Sequence, residues 1–316
     1  RIIIWRSAVA ITANRPAKSD CSFQKYFKPM SNITHFYSFS NGFTRLFYYC
    51  LRLLVNLKLF PVSKAKNLPA IGRFKIKFHQ RHSLKMEVTT HDQIARILFW
   101  QGVTGYEYET IQLFIELSRS ARIVFDIGAN NGYFSLIAAR LNPAAHVFAF
   151  EPVPRIFQQI RRNVALNRLK NLTVIQAAVS EKDGRATIFV PISEFPTSAS
   201  LMESFRTGTE PIDCKTITLD HFIQENHINN VDLVKIDTEA TEPSVLKGMH
   251  TILSKFHPDI ICEVLKGRTE ENLQKILEPL HYNFYLITDN GLKKTDKIEG
   301  DSTYRFRNYF FTIHHF

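Results

Sequence analysis

The chain has 316 residues, 45% of them hydrophobic, and a net charge of +11. That is the composition of an ordinary globular protein, long enough for one large domain or a domain with an appended segment. Its four cysteines (Cys21, Cys50, Cys214, Cys262) have no paired spacing and no histidine cluster beside them. This argues against a zinc site and a disulfide framework, and for a reducing, cytoplasmic setting.

The charge is uneven. Residues 1–100 hold 17 Lys and Arg against 3 Asp and Glu, a net +14, and the remainder holds 23 against 26, a net −3. The opening RIIIWRSAVAITAN resembles a weak secretory leader, but Arg6 interrupts its apolar run and the first residue is Arg, not Met. Residues 46–60 (LFYYCLRLLVNLKLF) are strongly apolar, yet short for a membrane span and broken by Arg52 and Lys58. They read first as a core helix and second as an interfacial one. Peripheral membrane contact through the basic N-terminal region is therefore a secondary expectation. Residues 1–70 are expected to form a basic, aromatic-rich extension. Residues 71–118 form a lead-in, with strands RFKIKF and LKMEVT around a polar turn and then a helix. Residues 119–316 form the main domain.

From residue 119 strands and helices alternate. Strand 123–127, helix 132–141, strand 146–151, helix 154–166 and strand 172–176 come first. A β-rich excursion near 185–190 and 212–218 follows, then a helix near 219–226. Strand 231–237, helix 243–255, strand 258–264 and helix 270–280 continue the alternation. Two closing strands, 282–288 and 308–314, lack a helix between them and are expected to pair antiparallel at an edge. The fold class is α/β: a Rossmann-like, mostly parallel, seven-stranded sheet with an antiparallel C-terminal edge hairpin.

The segment IVFDIGANNGYFSL (123–136) carries the most chemistry. An apolar run ends in Asp126, a turn from Gly128 to Gly132 follows, and Phe134, Ile137, Ala138 and Leu141 then fall on one helix face. A dinucleotide loop has the pattern G-x-G-x-x-G and seats a pyrophosphate on the helix N-terminus. Here the spacing is G-x-x-x-G with a carboxylate before it, which would repel a diphosphate. It suits a cationic amino-acid moiety, such as that of S-adenosylmethionine. VFAFEP (147–152) ends the next strand in Glu151, one strand-helix-strand step later, where an acid suits ribose hydroxyls.

Ligands of such sheets lie at the carboxyl ends of the strands, near the point where strand order reverses. VKIDTEATEP (234–243) supplies Lys235 and Asp237 on one face of a strand, with Glu239 and Glu242 beyond it. Asp237 is the first candidate to orient or deprotonate an acceptor hydroxyl, and Glu239 the second. Lys235 would stabilise the developing alkoxide or hold Asp237. Glu242 reads better as a helix N-terminal acid. Glu263, at the end of DIICEV, is an acid in an otherwise buried strand and a candidate for acceptor contact. FPTSASLMES (195–204) is a polar loop that reads first as ordinary surface and second as a segment closing over the acceptor. Asp237, Glu239 and Glu263 offer oxygen ligands of the kind Mg²⁺ takes. Carboxylates beside a sulfonium need no metal, and none is assigned.

IVFDIGANNGYFSL, FEPVPRIFQQIRRNVALN (150–167), VKIDTEATEPSVLKGM (234–249) and IICEV together resemble the FkbM-type methyltransferases over about residues 85–280. The resemblance implies a class I methyltransferase fold, S-adenosyl-L-methionine as donor, and O-methylation of a hydroxyl on a sugar, glycan or small metabolite. It implies that Asp126, Gly128, Asn130 and Gly132 bind the methionine part and Glu151 the ribose. Ala178 or Val179 would lie near the adenine, and Lys235, Asp237 and Glu239 match the family's KIDxEG segment. Ala240 stands where the family has glycine, which strains the loop if a positive φ is needed there.

Three other readings compete. A nucleic-acid methyltransferase fits the basic N-terminal third, but the turn after the fourth strand lacks the Asn/Asp-Pro-Pro-aromatic and Pro-Cys signatures of base-methylating enzymes, which leaves RNA ribose methylation as its remaining form. Nucleic acid is thus the less favoured partner. A non-catalytic S-adenosylmethionine-binding module rests on Ala240 alone, and a nicotinamide oxidoreductase is disfavoured by the glycine spacing. Neither the acceptor nor the oligomeric state is written in the pattern.

Overall fold

The computed structural model describes residues 35–37, 42–57, 59–65, 68, 70–79, 81–89, 92–191 and 209–315. The leader-like start and the polar loop 195–204 lie outside these residues. In the lead-in, strand β1 (His35–Tyr37) and helices α1 (Gly42–Asn56) and α2 (Val62–Ala65) precede the hairpin β2 (Gly72–His79) and β3 (His82–Val88). Helices α3 (Gln93–Gln101) and α4 (Tyr108–Ser118) follow, joined by a 3-10 turn. The main alternation is β4 (Ile123–Ile127), α5 (Tyr133–Leu141), β5 (His146–Phe150), α6 (Pro154–Asn167) and β6 (Leu172–Ile175). Next come β7 (Ala178–Val179), β8 (Gly184–Pro191), β9 (Thr209–Ile217) and α7 (Leu219–Glu225). The chain returns through β10 (Leu233–Ile236), α8 (Glu242–Lys247), α9 (His250–Phe256), β11 (Asp259–Glu263) and α10 (Glu270–Leu277). It closes with β12 (Asn283–Thr288), β13 (Gly291–Thr295) and β14 (Asn308–Thr312).

The large sheet has eight strands in the order β13-β12-β14-β11-β10-β4-β5-β6, with β6, β5, β4, β10 and β11 parallel. Strand order reverses between β4 and β10, which fixes where a ligand can reach strand ends. The expected seven-stranded sheet is corrected to eight, because the short strand β13 hairpins onto β12 across a two-residue turn. The closing strands do pair antiparallel, but β14 inserts between β12 and β11 and is not at the edge. The expected helix 243–255 is two helices. Gly248 lies between them, at a point where a Cβ would come within 2.1 Å of the Ser180 carbonyl oxygen.

Side-chain alternation splits the core in two. Val124, Leu233, Ile261 and Phe310 pack with α4, α5 and the lead-in. Their strand neighbours Phe125, Val234, Ile260 and Phe311 pack with the elements from α7 to α10. Strands buried on both faces explain why β10 and β11 read as nearly continuous apolar runs. The lead-in is fastened to α6 through backbone donors. The Lys85 N–H donates to Asn167 Oδ1 (2.8 Å) and the Glu87 N–H to Asn163 Oδ1 (2.9 Å).

Helix α1 confirms a helix in the apolar segment 46–60. Val55 is buried, and Arg52 is buried with its guanidinium 5.4 Å from the Phe99 ring centroid, while Phe47, Leu53, Leu54 and Leu57 remain exposed. Among the described residues, no helix is long and apolar enough to cross a membrane.

Candidate active site

The turn after β4 is pinned from both sides. The N–H groups of Gly128 and Ala129 donate to the Phe150 carbonyl of β5, and the Asp237 N–H donates to the Ile127 carbonyl. A Cβ on Gly128 would lie 1.9 Å from the Asp237 carbonyl oxygen, and its φ is +74°. Only glycine allows the ends of β4 and β10 to come this close. Gly132 also has a positive φ, +82°, and a Cβ there would meet the Ile160 side chain at 2.8 Å.

A cavity of about 350 Å³ opens above these strand ends, within the usual range of roughly 300–1,000 Å³ for small-molecule sites. One end is apolar, formed by Phe150, Ile156, Ala178, Val179 and Ile188. Glu151, Gly128 and Asn130 line its middle, and Asp237, Glu239, Glu263, Glu107 and Arg307 its far end. The structure thus gathers most of the sequence-derived residues into one crevice.

Asp126 and Lys235 are placed differently. Both lie behind the turn, against a small side cavity shared with Gly128, Asn130 and Asp237. Asp126 is buried, and its Oδ2 accepts from the Ser135 N–H (2.9 Å) and from the Ser135 hydroxyl in the first turn of α5. Burial pushes its pKa up to about 6, against the lowering effect of Ser135 and Lys235. Gly132 is the residue that caps α5 and does not line the main cavity.

Lys235 is 1% exposed, and its ammonium lies 3.3 Å from Asp237 Oδ2 and 5.1 Å from the Phe134 ring centroid. Burial alone would lower its pKa, but Asp237, Glu107, Glu263 and Asp126 together outweigh that and hold it above its ordinary value. Lys235 therefore stays charged and cannot serve as a base. Glu151 is buried and bridges the turn. Its Oε2 accepts from the Asn130 N–H (3.0 Å) and its Oε1 from the Val153 N–H (2.9 Å). Burial raises its pKa to about 7, with those two donors opposing. At Glu263 burial again raises the pKa first, and Asp237 and Glu239 add to it, while Arg307 opposes at 3.0 Å.

The loop after β10 is strained. Glu239 and Ala240 have φ of 54° and 77°, a region that L-residues occupy at a cost. Glu242 holds it there. Its Oε1 accepts from the Thr238 N–H (3.0 Å), the Thr238 hydroxyl (3.1 Å) and the Ala240 N–H (3.2 Å). Glu242 is fully buried outside the cavity lining, so it shapes the loop and does not touch a ligand.

Several lining residues escaped the sequence reading. Arg307 is delivered by the inward position of β14, whose Asn308 pairs with Glu263 in register and donates to Glu107 Oε2 (3.2 Å). Gln93, Ile94 and Ile97 come from α3 and cover the cavity. Helix α3 is tied down through Asp92, whose buried carboxylate accepts from the Ala95 N–H (2.7 Å), from the Asn131 amide (3.2 Å) and from Gln159. Only the Asp92 cap was readable locally; its other partners are 39 and 67 residues away.

The family model described as the methyltransferase FkbM domain matches residues 126–291, more than half of the chain. The chain belongs to the FkbM methyltransferase family. Its relatives include the hexuronic acid methyltransferase AglP of Haloferax volcanii, 26% identical over 198 residues, covering 62% of this chain and 76% of that protein. The 31-O-demethyl-FK506 methyltransferase FkbM of Streptomyces tacrolimicus is 34% identical over 158 residues (42% and 60%). The 2-O-methyltransferase NoeI of Sinorhizobium fredii is 28% identical over 153 residues (44% and 62%). The chain therefore spans about three-fifths of the length of the last two.

In this family S-adenosylmethionine is the methyl donor. The donor set of the cavity fits it: five acids and one arginine line the space, which suits a cation and repels phosphate, and the opposite, apolar end suits a purine. Ala240→Gly is expected to stabilise the FkbM-family protein by about 0.5–1 kcal/mol. Relief of the left-handed alanine exceeds the added freedom of glycine in the unfolded chain. Urea denaturation checks this; an unchanged or lower midpoint would show that the loop is unstrained.

Proposed function

We propose that the protein is an S-adenosylmethionine-dependent O-methyltransferase acting on a hydroxyl of a sugar, glycan or small metabolite. The observation that carries this reading is the acid-rich end of the cavity, where Asp237, Glu239 and Glu263 stand beyond the glycine turn. The names of the relatives, two of which specify a hexuronic acid and an O-methyl position, support a hydroxyl-rich acceptor class.

The bound donor supplies an electrophilic methyl group on a sulfonium. Gly128 and Asn130 would hold its methionine part by backbone and side-chain contact, and Glu151 would accept from its ribose hydroxyls with the lone pairs left free by Asn130 and Val153. Ala178 and Val179 would face the adenine. Asp126 acts one step removed in this reading: it fixes the start of α5 and adds negative potential behind the turn. An acceptor hydroxyl set against Asp237 would give its proton to that carboxylate while taking up the methyl group that the donor would supply. Lys235 orients Asp237, and Glu239 is the second acceptor of the proton. Correct alignment of such a pair contributes roughly 7–11 kcal/mol to the rate. The acidic lining disfavours a phosphate backbone as acceptor, so RNA ranks second.

Two outcomes test this. Asp237→Asn retains S-adenosylhomocysteine affinity in calorimetry but loses about 10²–10⁴-fold in turnover; undiminished turnover removes Asp237 as the base. Separately, Glu151 has a raised pKa of about 7, so its acceptor form is present above that pH and lost below it. Affinity for S-adenosylhomocysteine should fall as pH drops through about 7, and Glu151→Gln should flatten that profile. A profile that keeps its slope in the variant assigns the titration to another group.

A further inference from the structure

The far end of the cavity holds more carboxyl groups than its cations balance. Strand register sets Ile236 beside Cys262, so the next residues, Asp237 and Glu263, end adjacent parallel strands at the same level. Like charges opposite each other on neighbouring strands repel. Glu239 is brought back to the same point by the left-handed backbone at residues 239 and 240. One carboxylate oxygen from each of Asp237, Glu239 and Glu263 lies within 4.8 Å of the other two. Counting Glu107 with them gives four carboxyl groups against the two cations Lys235 and Arg307, a surplus of two acids that burial and mutual repulsion keep from all ionising without a further cation.

A second observation is independent of that count. Glu263 is 2% exposed and lines the cavity. Its Oε1 is held by Arg307 at 3.0 Å, but its Oε2 is buried and has no hydrogen-bond partner among the described residues. A buried carboxylate oxygen left without a partner is rare unless an ion or proton completes it.

We infer that Asp237, Glu239 and Glu263 form a binding site for a hard divalent cation at the acceptor end of the cavity. For three atoms no more than 4.8 Å apart, some point lies within about 2.8 Å of all of them, slightly longer than Ca²⁺–oxygen distances of about 2.3–2.6 Å and Mg²⁺–oxygen distances of about 2.0–2.1 Å. Small rotations of the two half-exposed side chains close that gap. The donors are all oxygen, the preference of Mg²⁺, Mn²⁺ and Ca²⁺ and not of thiolate-seeking metals. A divalent charge cancels the surplus and gives Glu263 Oε2 its missing partner. Three protein ligands leave coordination positions open, so a pair of neighbouring hydroxyls, as on a sugar ring, is the acceptor group that would fill them. That last clause rests on the methyltransferase reading; the cation site itself does not.

The test is a Mn²⁺ titration followed by electron paramagnetic resonance, alongside calorimetry with S-adenosylhomocysteine. The wild-type protein should bind one Mn²⁺. Glu263→Gln and Glu239→Gln should each weaken it by about tenfold or more while leaving S-adenosylhomocysteine affinity in place. Glu239 is half-exposed, so its variant stays informative if the buried Glu263 variant does not fold. Wild-type protein that binds S-adenosylhomocysteine but leaves millimolar Mn²⁺ free overturns the cation site, spares the methyltransferase reading, and assigns a proton to Glu263. Mn²⁺ binding unaffected by both variants also overturns it, by placing the ion elsewhere. Mn²⁺ bound as expected without S-adenosylhomocysteine affinity keeps the cation site and removes the methyltransferase reading.

Discussion

A buried ammonium at the point where strand order reverses organises this molecule. Lys235 sits in the middle of the sheet with 1% of its side chain exposed, beside Asp126 in strand register and 3.3 Å from Asp237. Taking such a charge out of water costs several kcal/mol unless partners compensate. Here the partners are acids that would themselves be intolerable at that depth without it. The acids fix the lysine, the lysine fixes the acids, and the geometry of the crevice follows from their mutual need.

That pairing also explains the division of labour between two rows of carboxylates. On the inner row Asp126 is turned to Ser135 and braces the helix after the glycine turn, so its contribution to a ligand is through potential and position. On the outer row Glu151, Asp237, Glu239 and Glu263 reach the cavity itself. Glu242, fully buried, spends its hydrogen bonds on the strained loop that aims Glu239. The alanine at 240 makes that loop harder to hold, and the three hydrogen bonds to one carboxylate oxygen are what keep it.

Much of this was legible in the sequence, because the informative residues interrupt or end short apolar runs that read as buried parallel strands. Asp126, Glu151, Lys235, Asp237 and Glu263 could be placed at the carboxyl ends of β4, β5, β10 and β11 because each lies in or just beyond the end of an apolar run, and the reversal of strand order joins them. What could not be read depends on contacts distant in sequence. Arg307 becomes part of the site only because β14 enters the sheet beside β11, and no local pattern separates an inserted strand from an edge strand. Glu107 precedes α4 in a left-handed conformation and meets Asn308 some two hundred residues later. The close approach of Ser180 to Gly248, at the break between α8 and α9, is another contact that a helical period cannot reveal. The short strand β13, with only Gly291 buried, has too little alternation to stand out.

The most direct measurement is a crystal structure with S-adenosylhomocysteine bound. The ribose hydroxyls should lie on the Glu151 carboxylate, the purine among Ile156, Ala178 and Ile188, and the sulfur should face Asp237 across the turn at Gly128. A nucleoside seated elsewhere, or a sulfur directed away from Asp237, would contradict this arrangement.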